Sequence, residues 1–475
     1  MKIWNPAGRA RNFVARMHAM SERVVSLQED LGGLRSEVDA LAAQVAGLRD
    51  ESEQTQRLVL DTRTALEHTT AVAGRAAQRA TLRRDRTRVV FLIHNRDAWD
   101  AIGELIDILR DEPDFEPIVV SIPHQYGGDA APRGEGRVHR FLSDRTVPHV
   151  RVRNDDIASA AELLLALDPD VVFRQSQWDA DVDAAFSPAS LAWTRLAIVP
   201  YETMNPTHNV PWDYPPVNSA VDQHFHRAAW LVFCANDEAL QIARADSLTG
   251  ARQFRVVGHP KADALRRTMP RWPGHDDTTT RPRRVLWSAH HSILNGWNDF
   301  GMLPRVKDDM LRWAREEPRT EFVFTHHPYL RGSIRRSDSP LTDLEFKEWL
   351  AEWQLLPNTY YERGPYAPLL AATDLLVTDG PSMITESQVL TIPTVFLERE
   401  DHVEFNSLGD VIVAGVHRVP DVARARAIAS AMAAGDPLAH VQRANVAHLF
   451  GAPGAARRIV EVMRAEIRTE HPPRR

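Results

Sequence analysis

The chain has 475 residues, of which 43% are hydrophobic and 25% are charged, and its formal net charge at pH 7 is -7. This composition is typical of an ordinary globular protein with roughly three domains' worth of material, and it gives no electrostatic reason to expect a nucleic acid partner. The single cysteine, Cys234, excludes a disulfide framework within the chain and argues against a thiolate metal site.

The N-terminus is basic and partly apolar, with Trp4, Phe13, Val14 and Met17 set among Lys and Arg residues. Such a segment could lie on the anionic inner face of the cell membrane, or it could be the frayed end of a helix. It lacks the short apolar core of a signal peptide, and no stretch reaches the roughly 18 to 20 apolar residues of a membrane span. We therefore expect a cytoplasmic protein, with peripheral membrane contact as an open alternative.

Residues 1–85 are predicted to form one long helix that carries a heptad repeat. Apolar residues recur at alternating steps of four and three, and they are Met20, Val24, Leu27, Leu31, Leu34, Val38, Leu41, Val45, Leu48, Val59 and Leu66. Val at most a positions and Leu at most d positions favour a parallel two-stranded coil, although Ser52, Thr55 and Thr62 weaken its second half. We expect a homo-oligomer; the alternative is a helix packed on its own catalytic domain.

Residues 86–262 alternate short apolar runs, such as "RVVFLIHN" and "DVVFRQS", with helical segments such as "IASAAELLLALD". Continuous β-branched and aromatic runs of this kind are typical of a parallel sheet that is covered on both faces. We assign residues 263–282, which are rich in Pro, Thr and charge, to a linker. Residues 283–465 repeat the α/β pattern with runs such as "RRVLWSAH", "EFVFTHHP", "DLLVTDG" and "DVIVAG", and residues 466–475 form a tail.

The fold class is thus α/β, with two Rossmann-like domains around a cleft and a coiled-coil helix before them. In parallel sheets of this type, the residues that follow the strands line the ligand site. Three strand ends of the second domain carry polar side chains: His290 and His291, then His326 and His327, then the segment from Asp379 to Ser382.

These histidines allow several interpretations. A shared metal is disfavoured, because adjacent residues on a strand point to opposite faces and neither pair has the helical spacing of a zinc enzyme. A histidine beside a cleft can instead act as general base, and we choose His291 and His327 for this role. Structural histidines bonded to the backbone remain an equal alternative.

The segment "TDGPS" (378–382) predicts a helix that starts with a proline, whose first N–H groups and dipole would bind phosphate with help from the Ser382 hydroxyl. The alternative is a plain strand-to-helix turn capped by Asp379. In the first domain, the loop "VPYETMNPTHN" (199–209) follows a strand, and we expect Glu202 and His208 to face the acceptor. Its high proline content also fits an ordinary surface connection.

These blocks, in this order, resemble the CDP-glycerol glycerophosphotransferases, the teichoic-acid-type polymerases and their relatives in bacterial surface-polysaccharide synthesis. The resemblance runs from "VPYETMNPTHN" through "GHPKAD", "WSAHHS" and "FTHHPYL" to "LLVTDGPSMITES" and "FLER". It implies the GT-B fold and a donor-site role for His327. It also implies that Lys261 and Asp263 form a structural hinge. The His-Gly-Thr-type segment of the better-known polymerases is replaced here by "PYETMNPTHN".

We therefore expect a transferase that moves a glycerol-phosphate-like or glycosyl group from a nucleotide-activated donor to a glycan or lipid-linked acceptor. It would need no cofactor and no metal. The alternatives are a sugar-nucleotide epimerase of the same fold and a non-catalytic coiled-coil scaffold. The expected catalytic residues are His327, His291, Glu202 and His208. The expected donor-binding residues are His290, Ser292, Asp379, Gly380, Pro381, Ser382 and Glu386.

Overall fold

The computed structural model describes residues 6–81, 85–125, 132–207, 218–274, 281–296, 298–432 and 435–470. The chain divides into two compact units, residues 1–83 and residues 84–475. The first unit contains a single helix, α1 (Pro6–Thr81), of 76 residues. At a rise of 1.5 Å per residue such a helix is about 110 Å long.

The apolar heptad positions of α1 are exposed. Their exposed fractions run from 48% at Val24 to 67% at Met20. The long helix predicted from the heptad repeat is confirmed, while its pairing with another helix stays a prediction. Of the residues predicted to contact a membrane, Trp4, Phe13 and Val14 have side chains outside those described, and Met17 is exposed. The membrane contact stays a prediction. None of the described helices has both the length and the apolar character needed to cross a membrane.

The second unit contains two parallel sheets. The first has seven strands in the order β3-β2-β1-β4-β5-β6-β7. These strands are β1 (Thr87–Ile93), β2 (Phe115–Ser121), β3 (Val150–Arg151), β4 (Val171–Arg174), β5 (Arg195–Ile198), β6 (Leu231–Cys234) and β7 (Phe254–Val256). The helices that alternate with them are α2 (Gly103–Asp111), α3 (Glu135–Asp144), α4 (Ala160–Leu167), α5 (His224–Ala228), α6 (Asp237–Asp246) and α7 (Pro260–Arg267).

The second sheet has six strands in the order β10-β9-β8-β11-β12-β13. They are β8 (Arg283–Ala289), β9 (Thr320–His326), β10 (Thr359–Tyr361), β11 (Leu375–Thr378), β12 (Thr394–Leu397) and β13 (His417–Val419). Its helices are α8 (Leu303–Glu316), α9 (Leu330–Ile334), α10 (Asp343–Leu355), α11 (Tyr366–Ala372), α12 (Pro381–Val389), α13 (Ser407–Val413), α14 (Val422–Ala431) and α15 (Ala439–Leu449). The helix α16 (Ala455–Glu470) follows.

Each sheet has an apolar core on both faces. In β8, Val285 and Trp287 pack into one cluster with residues of α8, α10 and α14. The residue between them, Leu286, packs on the other face with residues of α11, α12 and α13. Side chains alternate across a strand, so a strand buried on both faces must be apolar throughout. This explains the continuous apolar runs and confirms the two predicted parallel-sheet domains.

One predicted strand is wrong. The run "DVIVAG" (410–415) belongs mostly to α13, whose first turn is capped by the Asn406 side chain that accepts a hydrogen bond from Gly409 N–H at 3.0 Å. An apolar run of four residues is compatible with either a buried helix or a strand, and here the cap formed by Asn406 favours the helix. The sixth strand is β13, which lies just after this run.

The structure also differs from the expected domain limits at two places. Helix α7 runs into the segment assigned to the linker, and Asp263 within it is buried. Helix α16 crosses the expected limit at residue 465. Its residues Ile459, Val460 and Met463 pack into the core of the first sheet, not the second. The chain therefore returns to its first sheet after completing the second.

The motif "GHPKAD" (258–263) joins the two sheet domains. Asp263 Oδ2 accepts hydrogen bonds from Gly454 N–H and Ala455 N–H, both at 2.9 Å, and so caps the start of α16. His259 caps α7 and bonds to the Pro200 carbonyl at 2.9 Å through its Nε2. The motif thus fixes the return of the chain to the first sheet.

Candidate active site

In each sheet the strand order reverses once, so that the chain leaves two neighbouring strands toward opposite edges of the sheet. In the first sheet the reversal lies between β1 and β4, and in the second between β8 and β11. Such topological switch points open a crevice at the carboxyl ends of the strands, where ligands bind in doubly wound folds. His290 follows β8 and Asp379 follows β11, so both lie at the switch point of the second sheet.

Three histidines pack together at this point, and we call His290, His291 and His327 the imidazole cluster. The ring centroids are 4.5 Å apart for His290 and His291, 4.2 Å for His291 and His327, and 5.7 Å for His290 and His327. Burial lowers the pKa of all three, and each ring also lies near another imidazole whose charge would oppose protonation. The cluster is therefore uncharged at neutral pH.

The ring orientations of two of these histidines are fixed by hydrogen bonds to Nδ1. In His290, Nδ1 accepts from Ser292 N–H at 3.3 Å and lies 2.7 Å from Ser292 Oγ. Ser292 Oγ itself accepts from Phe300 N–H at 3.0 Å, so its hydroxyl proton is free to point at His290. In His327, Nδ1 accepts from Tyr329 N–H at 3.2 Å.

Asp379 is buried and joins three segments. Its Oδ1 accepts a hydrogen bond from His290 N–H at 2.6 Å, and its Oδ2 accepts one from Met302 N–H at 2.5 Å. Burial raises the pKa of Asp379 to about 6, while these two N–H groups oppose the rise. The carboxylate therefore holds the loop after β8 and the start of α8 against the end of β11.

Helix α12 begins directly after Asp379, at Pro381. Its N-cap residue is Gly380, and no side chain among the described residues caps it. Gly380 N–H instead donates to Thr378 Oγ1 at 3.0 Å. A methyl group placed on Gly380 would lie 3.7 Å from Cδ2 of His290, so this ring borders the start of the helix. Ser382 is half-buried in the first turn, where N–H groups lack partners within the helix and the helix dipole favours anions.

Glu386 does not face the other expected donor-binding residues. Its Oε1 lies 2.7 Å from Lys261 Nζ, and its Oε2 accepts the hydroxyl proton of Tyr366. Burial disfavours the charged form of Lys261, but the carboxylate outweighs it and raises the pKa of the lysine well above its usual range. Lys261 belongs to α7 of the first sheet domain, so this buried ion pair joins the two domains.

Glu202 lies just beyond β5, at the end of the first sheet. Gln177 Nε2 donates to its Oε1 at 3.4 Å. Its Oε2 is buried and has no hydrogen-bond partner among the described residues. Burial raises the pKa of Glu202, and the charge of Lys261 partly opposes this rise. His208, the other expected acceptor-side residue, lies outside the described residues.

Sequence reasoning missed the positions of Lys261, Tyr366 and Gln177. Lys261 was assigned only to a hinge, although its Nζ also lies 3.5 Å from the Tyr201 carbonyl oxygen beside the acceptor-side loop. The available signal was its place two residues after His259, at the first turn of a helix that follows a strand. Among the described residues no group of three or more His, Cys, Asp or Glu could hold a metal ion.

Comparison with known proteins identifies the fold. No protein-family model and no curated protein matches the sequence. Among solved structures, UDP-GlcNAc 2-epimerase from Neisseria meningitidis bound to UDP-GlcNAc is similar with a TM-score of 0.56 and 14% identity, over 80% of this chain and 100% of that one. The wall teichoic acid polymerase TagF is similar with a TM-score of 0.52 and 11% identity, over 87% and 99% of the two chains.

A third similar structure is the S. aureus MnaA–UDP complex, with a TM-score of 0.55 and 13% identity over 80% of this chain and 97% of that one. At these identities the likeness establishes the fold. The protein has the GT-B fold. Its neighbours of this fold are enzymes, and two of these three structures contain a uridine nucleotide.

Proposed function

We propose that this protein is a transferase of bacterial surface-polysaccharide synthesis. It would move a glycerol-phosphate-like or glycosyl group from a nucleotide-activated donor, such as CDP-glycerol, to a hydroxyl of a glycan or lipid-linked acceptor. The observation that carries the proposal is the meeting of the uncapped start of α12 with the imidazole cluster at the switch point of a GT-B sheet. This arrangement offers N–H groups and a positive dipole end to the phosphates of a donor.

At the acceptor site, the reaction also needs a general base that removes the proton of the acceptor hydroxyl. Glu202 supports this role, because a carboxylate with a raised pKa and an unpartnered buried oxygen takes up a proton more readily than an ordinary glutamate. The acceptor oxygen would form a bond to the transferred phosphorus or anomeric carbon, and its proton would go to Glu202. The bond to the phosphate oxygen of the nucleotide would break, and that oxygen would keep the electron pair.

The negative charge that develops on the leaving nucleotide would lie at the start of α12, near Ser382. Donors that are already in place there stabilise such charge without reorganisation during the reaction. Asp379 would contribute indirectly, because it fixes the positions of His290 and Met302 by accepting their N–H groups. In this mechanism the second domain binds the donor and the first activates the acceptor.

A second candidate function is that of a sugar-nucleotide epimerase. It is favoured by the UDP-GlcNAc 2-epimerases among the similar structures, and these too have the GT-B fold. An epimerase acts on its nucleotide sugar alone, whereas a transferase needs an acceptor. The two candidates therefore differ in what happens when only the donor is present.

The test begins with a thermal-shift screen of CDP-glycerol, CDP-ribitol and UDP-GlcNAc. A ligand at ten times its dissociation constant should stabilise the protein by about 1.4 kcal/mol. The ligand that binds is then incubated with the protein, with and without a glycan acceptor. Turnover that depends on the acceptor is expected. Turnover of UDP-GlcNAc alone would identify an epimerase, and binding of none of these ligands would contradict the proposed donor site.

We also propose that α1 pairs with α1 of a second copy as a parallel, in-register, two-stranded coil. Large apolar side chains at its heptad positions are exposed, for example Leu34 at 59% and Leu41 at 59%, and a partner helix would bury them. By sequence, this register places no like charges opposite each other at the flanking e and g positions between residues 37 and 63.

The coil can be tested by disulfide trapping, because the chain contains one other cysteine, Cys234, which is buried. A cysteine introduced by Leu41→Cys lies at the core of the predicted coil and should form a disulfide with the same residue of the second copy. A cysteine introduced by Ala43→Cys lies on the outer face and should not. A monomeric mass in light scattering would contradict the pairing.

A further inference from the structure

The imidazole cluster was expected to supply a general base, but the hydrogen bonds of two of its members favour a different role. A neutral imidazole carries one proton, on Nδ1 or on Nε2, and the nitrogen without it accepts hydrogen bonds. Backbone N–H groups can only donate. The nitrogen that accepts from such a group therefore carries no proton, and the tautomer follows from the partners.

Both His290 and His327 satisfy this condition. The Nδ1 of His290 accepts from Ser292 N–H, and the Nδ1 of His327 accepts from Tyr329 N–H. The single proton of each neutral ring therefore lies on Nε2. Neither Nε2 has a hydrogen-bond partner among the described residues, and neither is among the buried polar atoms that lack one. Both N–H groups are thus available to a ligand.

The position of the His290 ring places its donor at the start of α12, and the His327 ring is its neighbour. The Cδ2 atom of His290, which is bonded to Nε2, is the atom that borders Gly380 at the start of α12. The centroid of the His327 ring lies 5.7 Å from that of His290. His327 as a whole residue is exposed, although the protein around its imidazole excludes enough water to lower the pKa of the ring. His290 therefore borders this helix start from the end of β8, and His327 lies beside His290 at the end of β9.

We propose that His290 and His327 bind the donor's phosphates as neutral donors, each through Nε2–H, and that neither is the general base. This inference rests on the proposed function, since it assigns a role within the proposed donor site. To act as a base, either ring would have to take a proton at Nδ1 and give up its bond to a backbone N–H. The base must then come from another group, and this strengthens the case for Glu202.

The surrounding charges agree with a neutral state. His290 packs against the rings of His291 and His327, and its own N–H donates to Asp379. His327 lies near His326, His291, Tyr329 and Lys261. Burial is the largest cause that lowers the pKa of both rings, and nearby imidazoles lower it further. Among the described residues, no carboxylate hydrogen bonds to either ring, so neither ring has a counter-ion there that would favour its charged form.

The test replaces each histidine with glutamine or with asparagine, because each of these amides can substitute for only one of the two ring nitrogens. The amide nitrogen of glutamine takes approximately the place of Nε2, whereas the amide of asparagine takes approximately the place of Nδ1. His327→Gln should therefore keep the donor group toward the ligand and lose the bond to Tyr329 N–H. His327→Asn should do the reverse. The same pair of substitutions applies to His290.

Binding is measured by calorimetry with CDP-glycerol and with UDP-GlcNAc, which are diphosphate diesters and do not titrate between pH 6 and 8. We expect His327→Gln to bind within about threefold of the natural protein and His327→Asn to bind about 10- to 100-fold more weakly, as for a lost hydrogen bond to a charged group. Thermal stability should show the opposite order, with the asparagine variant the more stable. The control, His326→Asn, should leave binding unchanged, because His326 Nε2 bonds to Tyr361.

The protonation state is tested on the natural protein. A neutral donor predicts a dissociation constant that changes less than twofold between pH 6 and 8, with no net proton uptake in buffers of different ionisation enthalpy. Affinity that rises tenfold per unit of falling pH would overturn the proposal, and so would equal loss of binding in the glutamine and asparagine variants. Failure of both probes to bind the natural protein would instead contradict the proposed function.

Discussion

The two sheets have the same topology around their switch points but different chemistry there. At the first, the Gln175 amide accepts N–H groups of His94 and Asn95, both at 2.9 Å, and donates to the Asn95 carbonyl. At the second, the Asp379 carboxylate accepts N–H groups of His290 and Met302. In both domains, a side chain just after one strand of the switch point thus binds the loop that follows the other strand. This side chain is a neutral amide in the first domain and a carboxyl group in the second.

The segments that follow these side chains differ more. After β4 comes a short 3₁₀ turn, Asp179–Asp181, whereas after β11 the helix α12 begins at once. Of these two segments, it is the one after β11 that begins an α-helix at the crevice. The first domain instead offers a carboxyl group, Glu202. One architecture used twice therefore provides two crevices. In the proposed function, the residues at the strand ends assign phosphate to one crevice and the acceptor hydroxyl to the other.

The substitution with the largest expected effect is Glu202→Gln. If Glu202 is the base, kcat should fall about 10²- to 10⁴-fold, because general base catalysis contributes about that much. The dissociation constant of the donor should stay within twofold, because the proposed donor site lies at the other sheet. The exposed Glu162→Gln serves as control and should change neither. A comparable loss of donor affinity would contradict the separation of the two sides.

The same variant tests a pH dependence. The base must be ionised to accept a proton, and burial raises the pKa of Glu202. Activity of the natural protein should therefore rise with pH through this raised pKa, at higher pH than for an ordinary glutamate. Glu202→Gln should remove this acid limb from the pH profile of kcat/KM. An unchanged acid limb in the variant would assign the titration to another group.

Lys261→Met should have the next largest effect, on stability. It leaves the buried carboxylate of Glu386 without its cation, and loss of one partner of a buried ion pair costs about 3 to 5 kcal/mol. Chemical denaturation measures the change. The control is Lys347→Met, because Lys347 is 61% exposed in its pair with Asp343 and such exposed pairs contribute about 1 kcal/mol or less.

A double variant shows whether the cost comes from the unpaired charge. Lys261→Met with Glu386→Gln removes both charges and keeps an acceptor for the Tyr366 hydroxyl. It should be more stable than Lys261→Met alone. If the double variant is as unstable as the single one, packing of the lysine stem, and not the ion pair between the domains, is what stabilises this contact.

The sequence predicted the two sheets because their strands are buried on both faces and so read as continuous apolar runs between helices. It also predicted that His290, His327 and Asp379 follow strands, and strand order then brings them together at one switch point. The contact of Glu386 with Lys261 could not be predicted from the order of strands and helices. Lys261 lies 125 positions earlier, and only the packing of α7 on α12 brings the two side chains together.

The hydrogen-bond partners of the histidines also could not be predicted from the sequence. The doublet of histidines after β9 gave no sign that His326 bonds to Tyr361 while His327 accepts from Tyr329 N–H. Adjacent side chains on a strand point to opposite faces, which predicted that only one histidine of each pair would reach a shared centre. This prediction is wrong for His290 and His291, which both join the cluster because they lie beyond the end of β8, at Ala289, where strand alternation no longer applies. Which nitrogen of the His327 ring is free depends on how the backbone turns after the strand, and this is a local geometry that residue type alone does not specify.

Ser382→Ala should have the smallest effect, and it sharpens the contrast between the two crevices. The hydroxyl would add one hydrogen bond to a site that already has the backbone N–H groups and the dipole of α12. Loss of one such bond weakens binding by about 0.5 to 1.5 kcal/mol, or about two- to tenfold in donor affinity. KM for the acceptor should not change.

The matched control is Ser387→Ala in the same helix, whose hydroxyl bonds to the Ile384 carbonyl and accepts from Thr394 Oγ1. This buried hydroxyl holds α12 to β12, so its loss should lower the melting temperature and leave donor affinity unchanged. If instead Ser382→Ala weakens binding of the acceptor and not of the donor, the start of α12 serves the acceptor, and the assignment of phosphate to the second sheet and hydroxyl to the first must be reversed.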